Sequence, residues 1–340
     1  MISDKAFDEL CCGARAAVYL SWLEAHHAGT PAETDHVFHL MRVGVPALVD
    51  RWTPVLARSG AALRVTGVFC HQTPFAHFRL PAASVDTSCE LGDLLIVHQH
   101  ATITGRRINW TRRAVLLQAK MTEDGVCAGR DGRQEYLYSS WPTFVLKGTG
   151  PRGSRFRPER RNFRKDWSSG RYALIAKDIH VHARELLFAD LPYCCGFPWW
   201  IASPLDPPRT AGAEDAGAFI AGMLYDTVQR RGRSAEVVKG PLTLHNTPNN
   251  HFDVTVEELL RVTAARTLRS RSGRLTGHRG ETGVVCFQQG VLPASVTSPH
   301  KFRVTPREYL AERPPKEIVP EDGEEGDGIS VLLIETTGEA

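Results

Sequence analysis

The stretch SCELGDLLIVHQH, residues 88–100, sets an acid, Asp93, at the mouth of a run composed like a buried β-strand. A second run, RRAVLLQAKM at residues 112–121, ends in Gln118 and Lys120. Side chains alternate faces along a strand, so Gln118 and Lys120 point one way while Val115, Leu117 and Ala119 point the other. If the two strands pair as a hairpin, Asp93 meets the end of its partner and three polar groups converge at one edge of an apolar sheet. A charge buried there without a partner costs on the order of several kcal/mol, or shifts its pKa. Carboxylate and amide oxygens in that position suit a hard cation such as Mg²⁺ or Mn²⁺, which keeps several waters. One water as nucleophile, oriented by Lys120 or helped by its charge at the scissile phosphate, is the chemistry of a metal-dependent phosphodiesterase. The plainer reading of the same residues is a salt bridge between Asp93 and Lys120, with Gln118 as its hydrogen-bond partner.

The elements that must hold these residues are legible as patterns. Residues 5–28 repeat Phe7, Leu10, Ala14, Ala17, Val18 and Leu20 near a helical period. Residues 30–52 read as a second helical region with Thr30 as N-cap, Pro31 in the first turn and Glu33 near the favourable end of the dipole. Pro46 is expected to kink or divide it. Strands are expected over 61–75, 93–98 and 113–121, the last two joined by a long loop containing Gly105. Residues 135–146 read as a helical turn or strand, 171–181 as a strand, and 215–230 and 255–269 as helices. This mixture predicts an α/β or α+β protein.

The turn ELGD, a strand, a hairpin, a second strand and QAK together resemble the PD-(D/E)xK nuclease superfamily. The match is to its QxK variant, found in Mrr-like and some resolvase-like members, and it extends over residues 30–180. The resemblance implies an α/β fold with a restriction-endonuclease-like core, a mixed β-sheet flanked by helices. It implies that Asp93 binds metal, that Gln118 takes the acid's position and that Lys120 is the catalytic lysine. The superfamily carries a further acid in its first core helix, which points to Glu33, with Asp35 and Glu24 as alternatives. Gly92 stands where the name-giving proline would be, a change the turn tolerates, and Gln118 removes one negative charge, which weakens metal affinity or favours a single metal. The implied activity is Mg²⁺- or Mn²⁺-dependent hydrolysis of nucleic acid, DNA before RNA, in defence against foreign DNA. A homo-oligomer or a defence partner protein would fit that role. The alternative is a catalytically silent binding or scaffold protein that retains the fold.

Charge is unevenly spread. Residues 147–171 hold nine Lys and Arg against Glu159 and Asp166, interleaved with Phe156, Phe163 and Trp167. Cations contact phosphates and aromatic faces stack on unpaired bases. Arg155, Arg157, Arg160, Arg161, Arg164, Lys165 and Trp167 are therefore the candidate nucleic-acid contacts, against the plain alternative of a solvated loop. Residues 261–279 hold six arginines and no acid, read as a solvated helix face, and 317–327 hold six acids and no base. The division expected is a nuclease core over 1–209, a helical extension over 210–312 and an acidic Pro/Gly-rich tail over 313–340.

Other signals are weaker. His98 and His100, like His180 and His182, share a strand face but lack further ligands at useful spacing for zinc. HNTPNNH at 245–251 places its histidines too close together for an HNH nuclease, and the aromatic-rich stretch 192–208 reads as a core corner. The eight cysteines include the pairs Cys11 with Cys12 and Cys194 with Cys195 and form no CxxC, so no disulfide framework or zinc knuckle is indicated. The first residues lack a signal-peptide pattern and no run is long enough to span a membrane, which predicts a cytoplasmic protein.

Overall fold

A computed structural model describes residues 3–70, 74–81, 85–123, 126–127, 132–148, 156–164, 166–178, 197–204, 213–225, 231–244, 250–269, 284–305 and 328–339. Three helices come first, α1 (Asp4–His27), α2 (Glu33–His39) and α3 (Val45–Ala57). Strands β1 (Ala62–Cys70), β2 (Phe75–Leu80), β3 (Val85–Glu90), β4 (Leu94–Thr104), β5 (Arg107–Glu123) and β6 (Val126–Cys127) follow. Next come α4 (Gly132–Ser140), β7 (Phe144–Lys147), β8 (Gly170–Ala176), β9 (Trp199–Ala202) and β10 (Glu214–Asp215). The remainder is α5 (Ala216–Tyr225), β11 (Arg233–Ser234), α6 (Asn250–Arg269), β12 (Val284–Gly290) and β13 (Ser330–Glu339).

One large mixed sheet runs β10-β9-β8-β5-β4-β13-β1-β12, with the short β6 and β11 also on β5, and a small sheet runs β3-β2-β7. The protein is thus α/β, with helices on both faces of the large sheet. On one face, Leu94, Ile96, Val115 and Leu117 pack beneath α1, α2, α3 and α5. On the other, Leu95, Val97, Leu116 and Leu174 pack against α4, α6 and the inner face of the small sheet. Burial on both faces explains the continuous apolar run of β4, because a central strand has no solvent side to mark with polar residues.

The hairpin expected from the sequence forms, but its loop is short. β4 and β5 stay in register from Leu94 opposite Leu117 out to Thr104 opposite Arg107. Only Gly105 and Arg106 make the turn, and Gly105 takes φ 60°, a left-handed conformation that glycine adopts without strain. The charged residues that suggested a loop instead line a long ribbon. The helical region over 30–52 is divided, as expected of Pro46, by one wide turn over Leu40–Gly44 in which the Val45 N–H reaches back to the Leu40 carbonyl. Pro46 brings no N–H to the turn that follows, which favours the break. The helix starts later than Thr30: Asp35 accepts from the Ala32 N–H at 2.7 Å and caps a helix whose first residue is Glu33.

The largest departure is at the C-terminal end. Residues expected in an acidic tail form β13, which runs parallel to β4 from Ser330 opposite Leu94 and antiparallel to β1. The expected helical extension is also part of the same body: Phe219 of α5 and Phe252 of α6 lie in the two cores, and β12 closes the sheet beyond β1. The aromatic stretch yields β9, with Trp199 buried. Among the described residues no helix is long and apolar enough to cross a membrane.

Because β13 fills the middle of the sheet, Leu333→Ala should cost about 2–5 kcal/mol in a urea titration. Leu333 is fully buried. A loss below about 1 kcal/mol, the range of ordinary surface substitutions, would contradict a central position for this strand.

Candidate active site

Asp93 is delivered by a rigid corner between the two sheets. The Leu91 N–H donates to the Pro74 carbonyl at 2.8 Å, the Tyr138 hydroxyl donates to the Leu91 carbonyl at 2.8 Å, and the Asp93 N–H donates to the Leu117 carbonyl at 2.9 Å. Between them sits Gly92. A Cβ at this position would lie 2.7 Å from the Tyr138 hydroxyl oxygen and 3.1 Å from the Leu117 carbonyl oxygen. A side chain at 92 would therefore force the Tyr138 hydroxyl or the Leu117 carbonyl to shift, which favours glycine here.

The Asp93 side chain turns across to the end of β5. Its Oδ2 accepts from the Ala119 N–H at 2.7 Å and from the Gln118 side-chain amide. Gln118 and Lys120 share a face, as strand alternation predicts, while Val115, Leu117 and Ala119 enter the opposite core. Gln118 is 1% exposed, and its Oε1 is buried without a hydrogen-bond partner among the described residues.

Glu33, the first residue of α2, reaches the same end of β5. Its Oε1 accepts from the Met121 N–H at 3.1 Å and lies 3.9 Å from the Lys120 ammonium. Asp35 is committed to its helix cap. Glu24 lies near Arg42 and His27. Of the three acids considered for the helix position, Glu33 is the one that touches β5.

Burial is the largest influence on Asp93 and raises its pKa; the Glu90 charge adds to this, Lys120 and the Ala119 N–H oppose it, and the result is about 7. Glu90, three residues upstream, was not singled out from the sequence, although it opens the same ELGD tetrapeptide. The arrangement offers carboxylate oxygens, an orphaned amide oxygen and an ammonium at one sheet end. Among the described residues no three His, Cys, Asp or Glu side chains are grouped to hold a metal by themselves. A cation here would have to draw on the Gln118 oxygen and on water. The donor chemistry fits: a buried acceptor with no partner lacks what a hard cation supplies.

The described residues of the expected nucleic-acid block divide between the interior and the surface. Arg161 is fully buried, paired with Glu258 and donating to the Thr255 hydroxyl at 3.1 Å, so it is not a phosphate contact. Phe156 and Phe163 are core residues, Phe163 stacking edge-on against Phe144 and Phe252, and offer no face to a base. Arg157 bonds the Leu242 carbonyl and lies 3.6 Å from Glu159. Arg160 and Arg164 are exposed. Arg155, Lys165 and the Trp167 side chain lie outside the described residues. On α6, Arg261 is held by Glu257 at 2.9 Å and by the Val238 and Gly240 carbonyls, rather than standing on a free basic face. His98 and His100 both bond the Thr336 hydroxyl, at 2.9 and 2.8 Å, a structural use of the pair.

No family model matches the chain, and no curated protein or solved structure matches it at a significant level.

Two expectations follow from the corner and the buried acid. Gly92→Ala should destabilise the fold by about 1–3 kcal/mol through overpacking. Tyr138→Phe in the same chain should recover part of this loss, because it removes the hydroxyl that the new methyl meets. The check is chemical denaturation of the three variants, and equal loss in single and double variants would contradict the clash. A raised carboxylate pKa means that the native state keeps its proton while the unfolded chain loses it, so stability falls as pH rises from about 4 to about 7. Asp93→Asn should therefore raise the melting temperature more at pH 8 than at pH 4, by the equivalent of about 2 kcal/mol after allowing for residual solvent contact.

Proposed function

We propose that the protein is a divalent-metal-dependent nuclease of the PD-(D/E)xK type in its QxK form, hydrolysing nucleic-acid phosphodiester bonds. The observation that carries this reading is the meeting of Glu33, Asp93, Gln118 and Lys120, from one helix and two strands, at a single sheet end. Asp93, Gln118 and Glu33 would hold Mg²⁺ or Mn²⁺ through oxygen. The cation, when bound, supplies a water of lowered pKa and neutralises charge on the scissile phosphate.

The chain's own residues do the rest. Asp93 is oriented by the Ala119 N–H and the Gln118 amide, which hold its carboxylate toward the end of β5. The Lys120 ammonium, mostly shielded and facing Glu33, can donate to the attacking water or to a non-bridging phosphate oxygen. Such donors stabilise charge that develops in the transition state. DNA is the proposed substrate, and defence against foreign DNA the proposed role, on the resemblance described above.

A second reading has its own support. Gln118 bonds Asp93 and Lys120 faces Glu33, so the four side chains also compensate one another as a structural network would. With Arg161 and Phe163 withdrawn into the core, a silent scaffold that retains the fold is the alternative.

Cleavage assays on circular and linear DNA with Mg²⁺ or Mn²⁺ separate the two. Asp93→Ala should abolish cleavage. Lys120→Ala should lower turnover by about 10²–10³ with little change in affinity, the size seen for loss of a transition-state donor, and Lys120→Arg should restore only part of it. Wild-type turnover in Asp93→Ala would sink the assignment.

A further inference from the structure

The β4–β5 ribbon carries charge that the sheet-end site does not use. Between Asp93 and Glu123 the sequence has no acid and five Lys or Arg. Two of these have acidic partners, Arg112 with Glu257 and Lys120 with Glu33. The other three are Arg106, Arg107 and Arg113. Among the described residues their side chains make no hydrogen bond or ion pair; Arg106 and Arg107 are exposed and Arg113 is half-buried.

Alternation decides which side of the ribbon each residue takes. Ile108 and Trp110 turn to the covered side, against the small cluster of Ala101, Leu292 and Val296. Arg107, Asn109, Thr111 and Arg113 take the other side, which Val115 and Leu117 share further along, beneath the helices. Toward the turn that face comes out from under them, and Arg107, Asn109 and Thr111 are all exposed. From Arg107 to Arg113 the row is about 20 Å long at the rise of a strand. Every side chain in it can donate a hydrogen bond, and both of its ends are cations. Beside it β5 has an open edge. Its pairing with β11 ends at Arg113, and among the described residues no strand lies against residues 107–111 on that side.

We infer that this face of the ribbon docks the phosphate backbone of duplex DNA. Arg, Asn and Thr side chains are groups that contact phosphate oxygens and set a protein's register on a duplex. A row of such donors with no acid among them meets a polyanion without repulsion along its length. Single strands are disfavoured, because their binding draws on open aromatic faces and the ribbon's Trp110 packs on the covered side. A second polypeptide strand is disfavoured too, since charged side chains beside an open edge keep other strands from adding to it. The choice of DNA rests on the reading proposed above. The surface itself lies at the other end of the hairpin from Asp93, about 30 Å away at strand rise, and needs no catalysis to bind.

The test is fluorescence anisotropy of a labelled DNA duplex with the full chain across a salt titration, with divalent metal chelated so that no cleavage intervenes. Three variants are compared with wild type, each first shown to melt cooperatively. One combines Arg106→Ala, Arg107→Ala and Arg113→Ala, one changes the same three residues to Lys, and one combines Arg160→Ala with Arg164→Ala. The triple alanine variant should bind about tenfold more weakly or worse at low salt, on unrelated sequences alike. Its slope of log K against log salt should flatten by about two to three. The triple lysine variant should keep most of the slope, because a phosphate contact needs the charge more than the planar fork. Wild-type affinity and slope in the triple alanine variant would overturn the proposal, as would a loss that follows Arg160 and Arg164 instead. So would tighter binding of a single strand or an RNA duplex, or no binding of the DNA duplex by wild type. Binding that depends on the three arginines, with no cleavage once Mg²⁺ or Mn²⁺ is restored, would keep this surface and remove the nuclease reading alone.

Discussion

A carboxylate taken out of water must be compensated by donors, by an opposite charge or by a proton, and the surroundings of Asp93 answer to that demand. The Ala119 N–H and the Gln118 amide supply donors, Lys120 supplies charge, and a pKa of about 7 shows that compensation is incomplete. That deficit sets much of the local architecture. Tyr138 must reach in to pin Leu91, Gly92 must lack a side chain to make room for it, and β5 must end with its N–H groups toward the acids. A structure stabilised only for its own sake would place an apolar residue at 93, since well-packed apolar replacements for buried charges often cost nothing.

The chemistry of the hairpin was legible in the sequence because it is local. Alternation alone puts Gln118 and Lys120 on one face, and a run ending in a polar pair marks the strand end. Glu33 was legible as an acid at a helix start, but its contact with Met121 depends on how α2 lies against β5. The length of the β4–β5 ribbon was hidden by its arginines, which read as loop residues, and β13 was hidden by the acids that precede it.

The arginine block shows the same limit from the other side. A count of cations over residues 147–171 cannot reveal that α6, about a hundred residues later, carries the carboxylates that meet them. Glu258 takes Arg161, and Glu257 takes Arg112 from β5 with His300 beside it. In Glu257 burial by itself would raise the pKa, but the His300 hydrogen bond and the Arg112 charge outweigh it and bring the pKa down to about 2. These buried pairs fix α6 to the back of the sheet. Arg161, which reads as surface charge in one dimension, is in three part of an internal clamp.

The place of β13 has a consequence for how the protein is made. β4 pairs with β5 as soon as the hairpin has left the ribosome, but its other neighbour lies more than two hundred residues further along, Leu94 facing Ser330. Until then β1 and β4 each keep an open edge, the kind of surface that pairs with whatever strand is nearest. Contacts so distant in sequence are slow to form, because a long loop must close first. During synthesis the candidate catalytic residues therefore sit on a half-built sheet whose open edges can pair with other strands. β13 is the keystone, and the sheet that supports the site is completed only when it arrives.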